Sequence, residues 1–305
     1  MIDALGGVRV QVGDQPSELH RRDAFLAALV SLLNRRALDA DDNRLHLHAA
    51  ALVRGTSGVV FAATGGTGKS TLAAALGQRG WTYMSDEMVA IGYAGEIRAF
   101  PKPITLRSAG ATLLGDLASR AIQFPGTSSR RSFLPASRIP TDFCGHAHAY
   151  MLVFLRKAEP QPSTACSWSP LTAASATVMA IENSFDFDRY GESSLSAIGD
   201  FCLNAMSIEL YLAELKSTTE TIEELVDQLP TRPSFDRCIE GPSIGDVKSI
   251  LLNGEAVLHN TANNRVVSLP PESSKEWQRH ADGTREGSSL LFDELRRIEI
   301  LTGAT

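Results

Sequence analysis

The segment Val59-Val60-Phe61-Ala62-Ala63-Thr64-Gly65-Gly66-Thr67-Gly68-Lys69-Ser70-Thr71 constrains this chain more than any other. Val59–Ala62 is a short apolar run that predicts a strand, a glycine-rich turn follows, and Lys69–Arg79 reads as a helix ended by Gly80. Strand, loop and helix in that order are a unit of an α/β fold. Gly65, Gly66 and Gly68 let backbone N–H groups turn inward around an anion with no Cβ in the way. The positive end of the helix adds to that field. Lys69 would reach the β- and γ-phosphates of a nucleotide, and the Ser70 hydroxyl would ligate Mg²⁺. Ala63 stands where a first glycine is usual, a corner that alanine fills if its φ is negative. The stretch Ala63, Thr64, Gly65, Gly66, Thr67, Gly68, Lys69, Ser70 and Thr71 is therefore the candidate site for ATP with Mg²⁺.

Ser85-Asp86-Glu87 closes a strand that begins soon after this helix. Phosphoryl transfer needs one acid to hold a metal and another to accept the proton of the acceptor hydroxyl. Neighbours on a strand face opposite ways, but a twist at its end brings both acids to one site. His48 lies ahead of the loop in Leu45-His46-Leu47-His48. His46 and His48 share a face under strict alternation, yet no third ligand is near, so they are not read as a metal pair.

The rest of the chain supplies the frame. Residues 8–12 alternate as a strand, Asp23–Leu38 has helical spacing, and Leu45–Val53 alternates through His48. Thr82–Met84, Met88–Tyr93 and Glu96–Phe100 read as strands, the last two joined at Ala94-Gly95. Pro125–Arg138, rich in Ser, Arg and Pro, reads as a mobile loop. Ala149–Leu155 is an apolar strand, Ala173–Glu182 and Leu195–Ala205 are helical, Ile208–Leu212 is a strand, and Thr218–Leu229 is a helix. Pro230–Ser234 is the linker candidate. Beyond it Ser249–Leu252 and Glu255–His259 form a hairpin about Asn253-Gly254, a dipeptide suited to a type I′ turn. Arg265–Leu269 is a third strand, and two helical stretches follow, broken at Asp282-Gly283.

Bulk properties exclude several classes. The 43% hydrophobic and 21% charged residues are ordinary for a globular protein, and a net charge of −6 argues against nucleic acid as partner. No apolar run is long enough to span a bilayer. The N-terminus lacks a basic region followed by an apolar stretch, so it does not read as a signal peptide. Cys144, Cys166, Cys202 and Cys238 are scattered without metal-ligand rhythm and read as reduced packing thiols. The expected location is the cytoplasm.

From His48 to Val89 the chain resembles the catalytic domain of HPr kinase/phosphorylase. His48 precedes Lys69 at that family's spacing, Arg79-Gly80 follows, and Asp86-Glu87 stands where the family has Asp-Asp. The resemblance implies a P-loop kinase core with a mixed sheet, with His48 and Lys69 lining the active site. It implies that Ser70 and Asp86 serve the metal and that Glu87 is the base. The family's downstream metal-binding glutamate segment and its phosphorolysis loop have no counterpart here, so phosphorylase activity is not expected. Instead "LHAAALV", "SDEMVAI" and Phe100-Pro101-Lys102-Pro103-Ile104-Thr105-Leu106-Arg107 look like the related kinases of peptide-modification systems, lasso-peptide kinases included. Lys102, Arg107, Arg130 and Arg131 are candidate phosphate or substrate contacts. Residues 251–258, Val266–Pro270, Trp277 and Asp282-Gly283-Thr284 resemble, more weakly, a PqqD-like module, a winged-helix-like arrangement of three strands and two helices that binds leader peptides.

The resulting expectation is an α/β kinase region over 1–229 and a PqqD-like region over 235–305. Its partners would be a nucleotide and a peptide, with self-association left open. The expected reaction moves the γ-phosphoryl group of ATP to a Ser or Thr hydroxyl, most simply on a ribosomally made peptide. A small-molecule kinase, acting on a free amino acid or sugar, and a non-catalytic nucleotide-binding regulator are the alternatives.

Overall fold

The computed structural model describes residues 8–10, 18–20, 32, 33, 36, 38, 40, 44–92, 95–100, 102–123, 131–158, 164–190, 192–229, 235–284 and 290–302. Most of the helix expected over Asp23–Leu38, the turn at Ala94 and the Pro230–Ser234 linker lie outside the described residues. Among them the molecule is mixed α/β, and no helix is long and apolar enough to cross a membrane.

A nine-stranded mixed sheet organises the first part of the chain. Its strands are β3 (Leu45–Leu47), β4 (Ala49–Arg54), β5 (Ser57–Ala62), β6 (Thr82–Asp86), β7 (Val89–Ile91), β8 (Glu96–Ala99), β11 (His146–Lys157), β12 (Ser167–Pro170) and β13 (Met206–Leu212). The single strand expected over Leu45–Val53, running through His48, is in fact two strands. β3 pairs with β7, whereas β4 lies antiparallel between β5 and β6. His48 is the step between these two branches, its N–H donating to the Asn183 carbonyl at 2.7 Å. Strand β11 is the spine, parallel to β5 on one side and to β13 on the other. A separate short pair, β1 (Val8–Val10) with β2 (Glu18–His20), precedes the sheet.

Alternation along the strands divides the apolar side chains between two cores. On one face Leu52, Val59, Phe61, Met151, Val153 and Leu210 meet α1 (Lys69–Gln78) and α6 (Leu215–Asp227). The α6 sequence places Thr218, Ile222, Leu225 and Val226 inward at helical spacing. On the other face Val60, Ala62, Leu152 and Phe154 meet α4 (Ala173–Glu182) and α5 (Glu192–Asn204). The Thr172 side chain starts α4 by accepting from the Ser175 N–H.

The expected mobile loop at Pro125–Arg138 needs correction in its second half. Arg131–Leu134 is a strand, β10, paired with β9 (Ile104–Arg107), and Ala136–Arg138 is a turn of 3₁₀ helix. Ile104, Leu106 and Leu134 are buried, so the apolar side chains of this hairpin overrule its polar composition. Two short helices, α2 (Ser108–Leu113) and α3 (Asp116–Ser119), lie between its strands.

The last part is an antiparallel meander of four strands, one more than the sequence suggests: β14 (Ile239–Glu240), β15 (Val247–Leu252), β16 (Glu255–Asn260) and β17 (Arg265–Leu269). A two-residue strand is too short to show a period. Asn253 and Gly254 both have positive φ, as the hairpin turn requires. Helices α7 (Pro271–Ala281) and α8 (Leu290–Arg297) cover one face, where Trp277 and Phe292 stack at 5.8 Å. Across the other face Ile250, Leu252 and Val257 join the core formed by α4 and α5. Ile250 approaches so near to α5 that a side-chain carbon on Gly199 would sit 2.5 Å from its Cδ1.

Candidate functional site

Sheet register gathers the candidate residues at one edge. Ala62, the last residue of β5, lies opposite Ala49, and Asp86, the last of β6, lies opposite Ala50. The loop after β5, the acids ending β6 and His48 ahead of β4 therefore share one end of the sheet. Glu87 is held there by exchanging backbone hydrogen bonds with Ala49, at 3.0 and 3.1 Å. The carboxyl ends of parallel strands are where α/β sheets generally leave a crevice. Here it is a cavity of about 670 Å³. It is lined by His48, the loop from Gly65 to Thr71, Asp86, Glu87, Lys102 and Arg107.

Gly66 has φ 84° and Gly68 φ 131°, values that a side chain resists, so the glycine spacing follows from the turn itself. Ala63 is not among the positive-φ residues and is buried, so the alanine fits its corner. Gly68 caps α1 and offers no side chain to the first N–H groups of that helix. Lys69 is 7% exposed and donates to the Ala63 carbonyl and, at 3.5 Å, to that of Thr64. Burial lowers its pKa, opposed by the charges of Asp86 and Glu87.

Lys102 is also buried. Its ammonium lies 2.9 Å from Glu87 and 3.7 Å from Asp86. Tyr83, wholly buried, donates to the Lys102 carbonyl at 3.0 Å and so fixes the backbone that carries it. Ser85 ties the end of β6 to this segment, accepting from the Phe100 N–H at 3.1 Å. Arg107 reaches over the loop, with its Nη1 2.9 Å from where a Cβ of Gly66 would stand. Arg130 lies outside the described residues. The backbone of Arg131 pairs with Arg107 across the hairpin.

His48 contacts Phe185, ring centroids 5.3 Å apart. Burial and the charge of Lys69 lower its pKa, while Glu87 draws it up. The net effect favours the neutral ring. His46 goes elsewhere, its Nδ1 paired with Asp186 Oδ2 at 2.7 Å. Among the described residues no group of three or more His, Cys, Asp or Glu is placed to hold a metal. Arg79 is remote from the cavity and binds Glu223 of α6 through two N–H donors.

Asp86 is the most perturbed acid. Burial pushes its carboxyl from 3.8 up to about 6, opposed by Lys102, a hydrogen bond from Ser70 and the Thr105 N–H, which donates at 3.3 Å. Because the folded pKa lies above the unfolded one, the folded chain holds a proton that the unfolded chain has lost between about pH 4 and 6. Stability from this group therefore falls as pH rises through that window, by up to about 3 kcal/mol. Asp86→Asn should remove the fall. Urea unfolding near pH 4 and near pH 7 checks this, since wild type and variant should differ in slope and converge at the acid end.

Tyr83 and Lys157 carry no motif, and Thr105 enters the sequence reading only as part of the Phe100–Arg107 pattern. Lys157 merely follows an apolar strand, and only the paired strands reveal that it borders the loop.

The fold and site thus define a mixed α/β protein whose cavity sets a glycine-rich loop beside Asp86, Glu87 and the cationic side chains Lys69, Lys102, Arg107 and Lys157. No family model matches the chain, and no curated protein matches it. Among solved structures it is similar to the HPr(Ser) kinase/phosphatase from Coxiella burnetii. That similarity has 14% identity and a TM-score of 0.33, and covers 60% of this chain and 88% of that one.

Proposed function

We propose that this protein is an ATP-dependent kinase that transfers the γ-phosphoryl group to a Ser or Thr hydroxyl. The observation that carries the reading is the convergence of Lys69 and Ser70 with Asp86, Glu87 and Lys102 in one cavity. A loop that merely opened a helix would have no need of a buried aspartate and a buried lysine opposite it.

The roles follow from position. Backbone N–H groups from Gly65 to Ser70 cradle phosphate oxygens, with Lys69 on the β- and γ-phosphates. Arg107 lies over the same loop, placed to neutralise charge on the transferred group. Glu87 accepts the acceptor's proton, and the Lys102 ammonium 2.9 Å away holds its carboxylate in position. His48, neutral, orients the acceptor hydroxyl. The donor set also fits Mg²⁺: Ser70 and Asp86 offer hard oxygens, already hydrogen-bonded to each other. Magnesium typically takes one or two carboxylates together with phosphates. When bound, it would neutralise phosphate charge.

For the acceptor we favour a ribosomally made peptide of the lasso type, with residues 235–305 as a PqqD-like accessory domain to the kinase domain 1–229. In support, β17 ends its sheet's strand order, and a peptide strand can extend such an edge. Holding the peptide there would raise its concentration at Glu87. The test is incubation of the full chain with ATP, Mg²⁺ and a Ser- or Thr-containing precursor peptide, or with free serine or a sugar, followed by mass spectrometry. One added phosphoryl group on the peptide is the expected result. Transfer only to the small molecules would move the acceptor class, and nucleotide binding without transfer to any hydroxyl would leave a regulator.

A further inference from the structure

The cavity has two chemically different ends, and β5 with its loop stands between them. Toward β4 and β6 lie His48, Asp86, Glu87 and Lys102, every one polar or charged. Toward β11 and β13 lie Lys157, at the last position of β11, and then Leu212, Ala213 and Leu215. The two sides follow from strand order. β11 runs parallel to β5 with Phe154 opposite Ala62, so Lys157 projects beyond the strand alongside the loop, and its partner in β13 is Leu212.

The apolar end is a built surface. Leu212 and Leu215 pack back on the core that contains α1 and α6. The turn between β13 and α6 is pinned by Thr218, 1% exposed, whose hydroxyl accepts from the Ala213 N–H at 3.1 Å. This floor touches the loop: Leu212 Cδ1 is 3.4 Å from where a Cβ of Gly68 would stand. A ligand whose phosphates sit on the loop therefore has the leucine floor directly beside it on one side and the acids on the other.

We infer that the nucleoside half of the ligand lies on Leu212, Ala213 and Leu215, with Lys157 at its boundary with the phosphates. The terminal phosphate then points to Glu87. This inference rests on the nucleotide reading of the loop and fixes the direction in which the nucleotide lies. A flat base laid on aliphatic side chains gains affinity by leaving water, while inorganic tripolyphosphate has nothing to place there.

The difference between those two ligands is the test. Leu215→Asp puts a carboxylate on the floor at a position half-exposed and in the first turn of α6, where an acid suits the helix. Ala213→Trp fills the floor by bulk instead. Calorimetry with the full chain and Mg²⁺ should show each variant binding ATP about tenfold more weakly, with tripolyphosphate affinity unchanged. Circular dichroism and the melting temperature of each variant identify any that fails to fold, and the other then decides. Unchanged ATP affinity in a folded variant overturns the inference, and so does equal weakening of ATP and tripolyphosphate, because the phosphates would then occupy the floor. Wild-type protein that binds neither ligand removes the nucleotide reading itself, and this inference with it.

Discussion

Lys69→Ala is expected to weaken ATP·Mg²⁺ binding on the order of 100-fold, the equivalent of about 3 kcal/mol, as befits a buried charge-assisted contact. The size follows from where the ammonium sits. It is 7% exposed, held to the carbonyls of Ala63 and Thr64, and its charge is disfavoured by burial. Phosphate oxygens beside it would favour that charge again. The alanine variant gives up the contact while leaving Gly66 and Gly68 to shape the turn. Titration calorimetry measures the affinity, and an unchanged melting temperature confirms that the fold survives. If ATP binds the variant as it binds wild type, the loop is not a nucleotide site.

Glu87→Gln should separate binding from chemistry. The amide keeps the side chain's length but cannot take a proton, so turnover should fall by roughly 100-fold or more while ATP affinity stays close to normal. The geometry makes the separation clean, because Glu87 is anchored by its backbone to Ala49 and its carboxylate meets Lys102 at 2.9 Å, away from the loop carbonyls. Asp86→Asn is the comparison. Asp86 is hydrogen-bonded to Ser70, so its loss should harm Mg²⁺-dependent nucleotide binding first. If Asp86→Asn instead retains nucleotide and loses turnover, the two acids exchange roles. If both variants turn over normally, this cavity does not carry out the transfer.

How much of this could be read from the chain depends on the range over which each feature is encoded. The loop and its helix are local: glycine spacing, an apolar run and a helical period sit within a few residues of one another, and the structure has β5 and α1 where they point. The break at His48 is not local. Alternation up to His48 gives way to the apolar run Ala49–Val53, which speaks of burial and not of a break, and the step arises because β3 and β4 find partners far along the chain. The hairpin of β9 and β10 was hidden for a related reason, since Phe133 and Leu134 sit in Ser- and Arg-rich surroundings whose composition suggests a loop. Lys102 and Arg107 were candidates by pattern alone, and the fold brings one beside the acids and the other over Gly66. Lys157 and the leucine floor left no signal, because an apolar strand ending in a lysine is common and only the parallel pairing with β5 sets it beside the loop.

The contact between Ile250 and Gly199 bears on how this molecule can change over generations. A glycine inside a helix costs about 1 kcal/mol against alanine, so drift alone would tend to replace it. Here the replacement is resisted, because the added methyl would meet Ile250 Cδ1 at 2.5 Å and force that side chain to shift. The two positions lie in separate stretches of chain yet are coupled: Gly199 enlarges at least cost where Ile250 shifts or shrinks. A C-terminal meander exchanged for one from another protein would arrive without that fit, and Ile250 would have to be re-matched to Gly199.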